Sequence, residues 1–216
     1  MGKHRDEEDV QQSALEILIK KSDGDYKAFL YDCDGTLADN MDDHKKAYAK
    51  VAENHGVTID TSIVDELAGQ PTPKVVEAIN KRYNCDLDPE EFASEKSDLF
   101  YEEFVPKTKP MKFVVEHLKQ HAGKVKIAVV SGGVRKSVTK TLEVLGIADV
   151  VDTVICADDT SKGKPNPDPF LAAAEKVGVK PEYCLVFEDG DPGVEAAKAA
   201  GMGSVRVDKI LEESEG

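Results

Sequence analysis

The 216-residue chain has no tryptophan, and its aromatic residues make up only 6% of the sequence. Beside 40% hydrophobic and 32% charged residues, this is the composition of a soluble protein. No apolar run approaches the length of a membrane span. Positive charge is the scarcer sign: 28 Lys and Arg stand against 42 Asp and Glu, for a net charge of -14. That balance disfavours nonspecific binding to nucleic acid or to an anionic membrane, so cations for an anionic substrate must be gathered locally. The four cysteines, Cys33, Cys85, Cys156 and Cys184, show no CxxC spacing, and three lie in or beside apolar runs. They read as reduced core thiols of a cytoplasmic protein. The first nine residues are too acidic and polar for a signal or transit peptide, and Asp6 stands where a myristoylation motif wants Ser or Thr. Internal repeats, low-complexity tracts and long linkers are absent as well.

What is present is an alternation of strand-like and helix-like segments. Strands are expected near residues 27–32, 125–131, 151–156, 184–188 and 204–207, and helices near 111–122, 134–145, 168–178 and 192–200. Such alternation predicts an α/β fold with a parallel sheet covered on both faces. Residues 1–24 form an N-terminal extension, expected as a mobile head followed by one docked helix that Ser22-Asp23-Gly24-Asp25 ends. From Asp42 to about Pro110 the alternation stops. Ala47/Val51, Val75/Val76/Ile79 and Leu99/Phe100/Phe104 recur at helical spacing with no strand-like run between them. The expected organisation is an α/β core of residues 25–41 and 109–216, with a helical cap of residues 42–108 placed over the strand ends.

The chemistry-bearing residues fall at those strand ends, where open α/β sheets bind ligands. Asp32-Cys33-Asp34-Gly35-Thr36 follows the apolar run Ala28-Phe29-Leu30-Tyr31. Ser131-Gly132-Gly133 follows Ile127-Ala128-Val129-Val130, and Lys164 and Glu188-Asp189 end or flank later runs. Each has a plainer reading when taken singly: a solvated turn, a strand-to-helix turn, a surface lysine, an N-cap cluster. Jointly they are the parts of a phosphoryl-transfer site. One carboxylate, Asp32, attacks phosphorus; the other, Asp34, protonates the leaving oxygen and then deprotonates water. Oxygen-only ligands favour Mg2+ over zinc, and Ser131 with the Gly132 backbone offers donors to a phosphate that Lys164 helps to neutralise.

These motifs resemble those of the haloacid dehalogenase superfamily, in the branch that carries a helical cap after the first motif. Lys162-Gly163-Lys164-Pro165-Asn166-Pro167-Asp168 and the run from Phe187 to Ala197 are similar to the β-phosphoglucomutase and sugar-phosphatase group. The resemblance spans roughly Lys27 to Val207 and implies a Rossmann-like sheet of order 5-4-1-2-3. It implies Mg2+ held by Asp32, the Asp34 carbonyl and Asp189, with Glu188 beside them, and it places Thr36 in the first motif. It also implies that His44 faces the site. The cap loop Gly69-Gln70-Pro71-Thr72-Pro73-Lys74 corresponds to the one in which the mutases carry a phosphate-gripping arginine. No arginine stands there; Gln70 and Lys74 are the residues left to meet substrate, and a lysine lacks the bidentate fork. The expectation is therefore a Mg2+-dependent phosphatase of a small phosphorylated metabolite, most plausibly a sugar phosphate. A phosphoglucomutase-like isomerase is its closest rival, and a non-catalytic phosphometabolite-binding module the more distant one. No nucleic-acid or membrane partner is expected, and the chain is expected as a monomer or weak homo-oligomer.

Overall fold

The computed structural model describes residues 6–67 and 70–215. The helix of the N-terminal extension, α1 (Glu7–Lys21), buries Ala14, Leu15 and Leu18 against the body of the protein. The expected mobile head falls mostly on residues 1–5, outside the described residues.

The first strand, β1 (Ala28–Tyr31), is buried at every position. A strand pleat sends successive side chains to opposite faces. Phe29 and Tyr31 therefore join one apolar cluster, while Ala28 and Leu30 join another. The chain then makes a two-residue strand β2 (Ala38–Asp39), passes through the inserted helices, and returns as β3 (Lys109–Pro110), antiparallel to β2. The strands that follow, β4 (Lys126–Val130), β5 (Thr153–Ile155), β6 (Cys184–Glu188) and β7 (Gly203–Arg206), all run parallel to β1. Spatial order is β5-β4-β1-β6-β7. Counted as five core strands in chain order, that is the expected 5-4-1-2-3, read from the β7 edge.

Between them run α6 (Lys112–His121), α7 (Arg135–Val144), α8 (Asp168–Val177), α9 (Asp191–Ala199) and α10 (Val207–Glu215). Residues from α1, α6, α7 and α10 cover one face, and α8 and α9 cover the other. Because β1 is flanked by β4 on one side and β6 on the other, the connection after β1 leaves one way and that before β6 the other. This is the switch point at which a crevice opens beyond the strand ends.

Within residues 42–108 lie most of α2 (Met41–Asn54), then α3 (Ser62–Glu66), α4 (Thr72–Tyr83), α5 (Pro89–Leu99) and a π-helical turn at Phe100–Phe104. They have an apolar core of their own, built on Tyr48, Val51, Ile63, Val76, Ile79 and Phe92. Asp88 accepts hydrogen bonds from the amides of Glu90 and Glu91 and so caps α5. Lys136 of α7 stands 4.0 Å over the Tyr101 ring, a contact between the inserted helices and the sheet domain. The pairing of β2 with β3, unforeseen from the sequence, ties together the two chains that lead into and out of the insertion.

Candidate active site

Asp32 follows β1 directly and is held by a hydrogen bond from its own amide to the Phe187 carbonyl of β6. Its carboxylate accepts from the Lys164 ammonium at 2.5 Å, and the same ammonium reaches Glu188 at 2.5 Å and the Val130 carbonyl at 2.9 Å. Asp32 and Glu188 are buried, and Lys164 is nearly so. Removing one partner from such a cluster would strand the others, at a cost of about 3–5 kcal/mol. Asp189 joins them: oxygens of Asp32, Glu188 and Asp189 lie within 4.8 Å of one another. Two glycines leave room for this packing. A Cβ on Gly35, whose φ is +87°, would come 2.2 Å from Asp189 Oδ2, and a Cβ on Gly193 would come 1.9 Å from the Glu188 carboxyl.

Three carboxylates face one ammonium here, a deficit of two positive charges. The Asp32 carboxyl is pushed up, first by burial, with Glu188 and Asp189 adding to it and Lys164 opposing. Burial and Glu188 likewise raise Asp189, to about 6. Lys164 is driven upward by Asp32 and Glu188 against the pull of burial. A buried cluster short of two charges, with only oxygen donors, fits a hard divalent cation.

Asp34 turns the other way. Its Oδ1 accepts from the Asn40 side-chain amide at 2.6 Å and lies 3.4 Å from His44 Nε2. Its Oδ2 would be 3.7 Å from a Cβ on Gly133. His44 stacks on Phe100, with ring centroids 3.9 Å apart, and its Nδ1 lies 2.8 Å from Lys96 Nζ. An ammonium can only donate, so Nδ1 accepts and the ring proton sits on Nε2, facing Asp34. Lys96 is buried, 5.0 Å from the Tyr48 ring centroid and 5.1 Å from that of Phe100. Burial lowers it to about 8 while Asp34 opposes. Burial and Lys96 also lower His44, with Asp34 opposing. Burial works to raise Asp34 as well, yet His44, Asn40 and Lys96 bring it down to about 2. The His44 contact is the largest of the influences that hold this anion, followed by the Asn40 amide and the Lys96 charge.

The remaining residues singled out in the sequence separate into two sets. Ser131 is buried, and its Oγ accepts from the Gly133 amide at 3.0 Å, beside the Asp34 carboxylate. Gly132 is exposed, with open space where a Cβ would stand. The Thr36 hydroxyl donates to Asp189 Oδ1 at 3.4 Å, which turns it to the acidic cluster rather than to open space. Gln70 and Lys74 are not brought to these groups by any hydrogen bond among the described residues. Gln70 is exposed, and Lys74 pairs with Glu77 at 2.9 Å on the same helix. Gly69 of the same loop lies outside the described residues. Lys45 and Lys46 pair with Asp42 and Asp43 along α2, whereas Arg135 is engaged by Asp159. Asn40 and Lys96 escaped sequence reasoning; only the spacing of Asn40, six residues after Asp34, offered a clue.

Over most of its length the chain is similar to known proteins. The haloacid dehalogenase-like hydrolase family matches residues 29–207. The fructose-1-phosphate phosphatase of Escherichia coli is 35% identical, over 84% of this chain and 96% of that protein. The β-phosphoglucomutase of Bacillus subtilis is 28% identical, over 84% of this chain and 83% of its own length. The crystal structure of a β-phosphoglucomutase from Clostridium difficile superposes with a TM-score of 0.68 at 29% identity, covering 84% of each chain. The chain belongs to the haloacid dehalogenase-like hydrolases.

Proposed function

We propose that the protein is a Mg2+-dependent phosphatase of a small phosphorylated carbohydrate, acting through an aspartyl-phosphate intermediate on Asp32. The observation that carries this reading is the opposite fate of two carboxylates one residue apart. Asp32 is drawn into the Lys164–Glu188–Asp189 cluster, whereas Asp34 is held by Asn40 beside His44. A nucleophile and a proton-transfer group are thereby held in different surroundings one residue apart. The sugar phosphatase among the relatives supports the substrate class.

In this reading Asp32, Glu188 and Asp189 hold Mg2+, with the Asp34 carbonyl as a further oxygen donor. When bound, the ion neutralises phosphoryl oxygens that would otherwise repel the attacking carboxylate. Lys164 orients Asp32, opposes the burial that favours its neutral form, and adds a fixed positive charge close to the phosphoryl group. The Ser131 hydroxyl and the Gly132 amide receive its oxygens. Asp32 attacks phosphorus, the ester bond to the leaving oxygen breaks, and Asp34 supplies that oxygen with a proton. The negative charge of the arriving phosphate raises Asp34 from its resting value and makes proton uptake feasible. Asp34 then takes a proton from the water that attacks the phosphoryl group and frees Asp32. Residues 42–108 act as a cap that shields these steps, with residues 25–41 and 109–216 as the core domain and 1–24 as an extension.

Hydrolysis rather than isomerisation is favoured because the segment from Gly69 to Lys74 holds no arginine, and its Lys74, on α4, is exposed and engaged by Glu77. The protein is proposed to act in the cytoplasm as a monomer or weak homo-oligomer; no described helix is long and apolar enough to cross a membrane. The test is incubation with Mg2+ and a panel of phosphorylated sugars. Stoichiometric release of inorganic phosphate is expected. Retention of phosphate with isomerisation of the sugar, stimulated by a bisphosphate, would assign the mutase reaction instead.

A further inference from the structure

Behind the catalytic face lies a buried polar chain that the proposed reaction does not use. His117 of α6 is fully buried among Phe29, Phe187 and His121, with ring centroids 5.5, 5.0 and 4.2 Å away. Its Nδ1 is 2.8 Å from the Tyr31 hydroxyl, and its Nε2 is 2.8 Å from Ser22 Oγ. Ser22 itself donates to the Ile19 carbonyl at 3.0 Å. That bond uses the only proton on Ser22 Oγ, so the hydroxyl must accept from His117 Nε2–H, and Nδ1 must in turn accept from Tyr31. The direction of every bond is fixed: Tyr31 to His117 to Ser22 to the last turn of α1.

The chain is saturated, and it joins the strand that leads to Asp32 with a helix outside the matched residues. Tyr31 immediately precedes Asp32, while α1 precedes the residues that the family match covers. A second ring proton would have to sit on Nδ1, where the Tyr31 hydroxyl already donates. One of the two donors would then be left buried without a partner. The titratable groups facing the ring are Tyr31 from β1 and His121 from its own helix; α1 presents Ser22 and β6 presents Phe187. None of them supplies a carboxylate to accept the proton.

We propose that α1 is a strap which protonation of His117 releases from the strand carrying Asp32, so that the N-terminal helix is docked at neutral pH and set free by acid. Burial, with His121 adding to it, lowers docked His117 from 6.5 to about 3. A ring freed into water takes its proton near 6.5, so docking is undisturbed above that value. As pH falls from 6.5 toward 3, the ratio of released to docked helix rises about tenfold per pH unit.

Hydrogen exchange of the full-length protein, corrected for the intrinsic pH dependence of exchange, tests this between pH 8 and 5. The amides of α1 are expected to lose about tenfold in protection per unit below 6.5 while those of β6 keep theirs. In His117→Phe, which keeps an aromatic ring but cannot titrate, the slope should vanish. Ser22→Ala removes the acceptor at the α1 end and should lower α1 protection roughly tenfold at every pH. Should the Phe variant fail to fold, NMR titration of the His117 ring in the unaltered protein decides. Ionisation well below 6.5, together with loss of the α1 signals, supports the strap. Ionisation near 6.5 with α1 still protected overturns it, as does α1 protection that is independent of pH or a slope that persists in the Phe variant.

Discussion

Asp32 and Asp34 stand one residue apart and have the same side chain, yet the fold gives them opposite surroundings. Asp32 shares an ammonium with Glu188, faces Asp189, and is pushed upward by burial and like charge. Asp34 is brought down to about 2 against its burial by His44, Asn40 and Lys96. The first environment is made wholly by strand ends and their loops. The second is assembled across the boundary with the inserted helices, because Asn40 and His44 open α2 and Lys96 comes from α5. Only Cys33 separates the two carboxylates in the chain, which turns directly after Asp34 at residues 35–37. Gly35 allows that turn with a φ of +87°, a conformation in which other residues are strained.

The comparison can be broken most severely on the core side. Asp32→Asn removes the nucleophile but keeps the size of the side chain, so turnover should fall about 10⁴-fold or more while phosphate-ester binding persists. Steady-state kinetics beside calorimetric titration separates the two effects. Gly193→Ala attacks the same side without touching a charge. A methyl 1.9 Å from the Glu188 carboxyl has to displace it, with about 1–3 kcal/mol lost in denaturant unfolding and roughly a hundredfold in kcat.

On the cap side the effects are expected to be smaller and dependent on pH. Lys96→Met keeps the apolar stem but removes the donor to His44, and should reduce kcat roughly 10- to 100-fold. Because Lys96 is lowered to about 8, its ammonium, and with it the activity, should be lost as pH rises through that value. The Met variant should lack this alkaline limb. A limb of unchanged position in Lys96→Met would assign it to another group. Lys74→Ala is the smallest change, since Lys74 is exposed and engaged only by Glu77. Its kcat/KM should stay within about twofold of the parent value.

Legibility in the sequence follows the same divide. The positions of Asp32, Ser131, Glu188 and Asp189 at strand ends could be read because apolar runs of four or five residues each end in a local motif, whereas the sheet order came from the family resemblance and Lys164 stands in a loop beyond β5. Lys96 could not: it stands in the polar run Ser94-Glu95-Lys96-Ser97-Asp98, which resembles a solvated helix face. Only the packing of α5 against α2 turns it inward. Asn40 carries no motif of its own, and the two-residue strands β2 and β3 are too short to show any period. Gln70 and Lys74 rest on a correspondence of loops rather than on a motif, and no hydrogen bond among the described residues joins either to the catalytic groups. His117 offered no sign of its partners, because Ser22 and Tyr31 lie 95 and 86 residues away in the chain. Local motifs survive translation into sequence; pairings made by tertiary packing leave little trace there.

The separation of roles between Asp32 and Asp34 is tested most directly by rapid mixing of Asp34→Asn with p-nitrophenyl phosphate and Mg2+, followed by acid quench and peptide mass analysis. This leaving group departs without help from an acid, whereas hydrolysis of the phosphoenzyme needs the missing base. A burst of about one equivalent of nitrophenolate is expected, with a phosphoryl group on Asp32. Turnover without a burst, or a phosphoryl group on any other residue, would contradict the assignment of Asp32 as nucleophile and Asp34 as proton carrier.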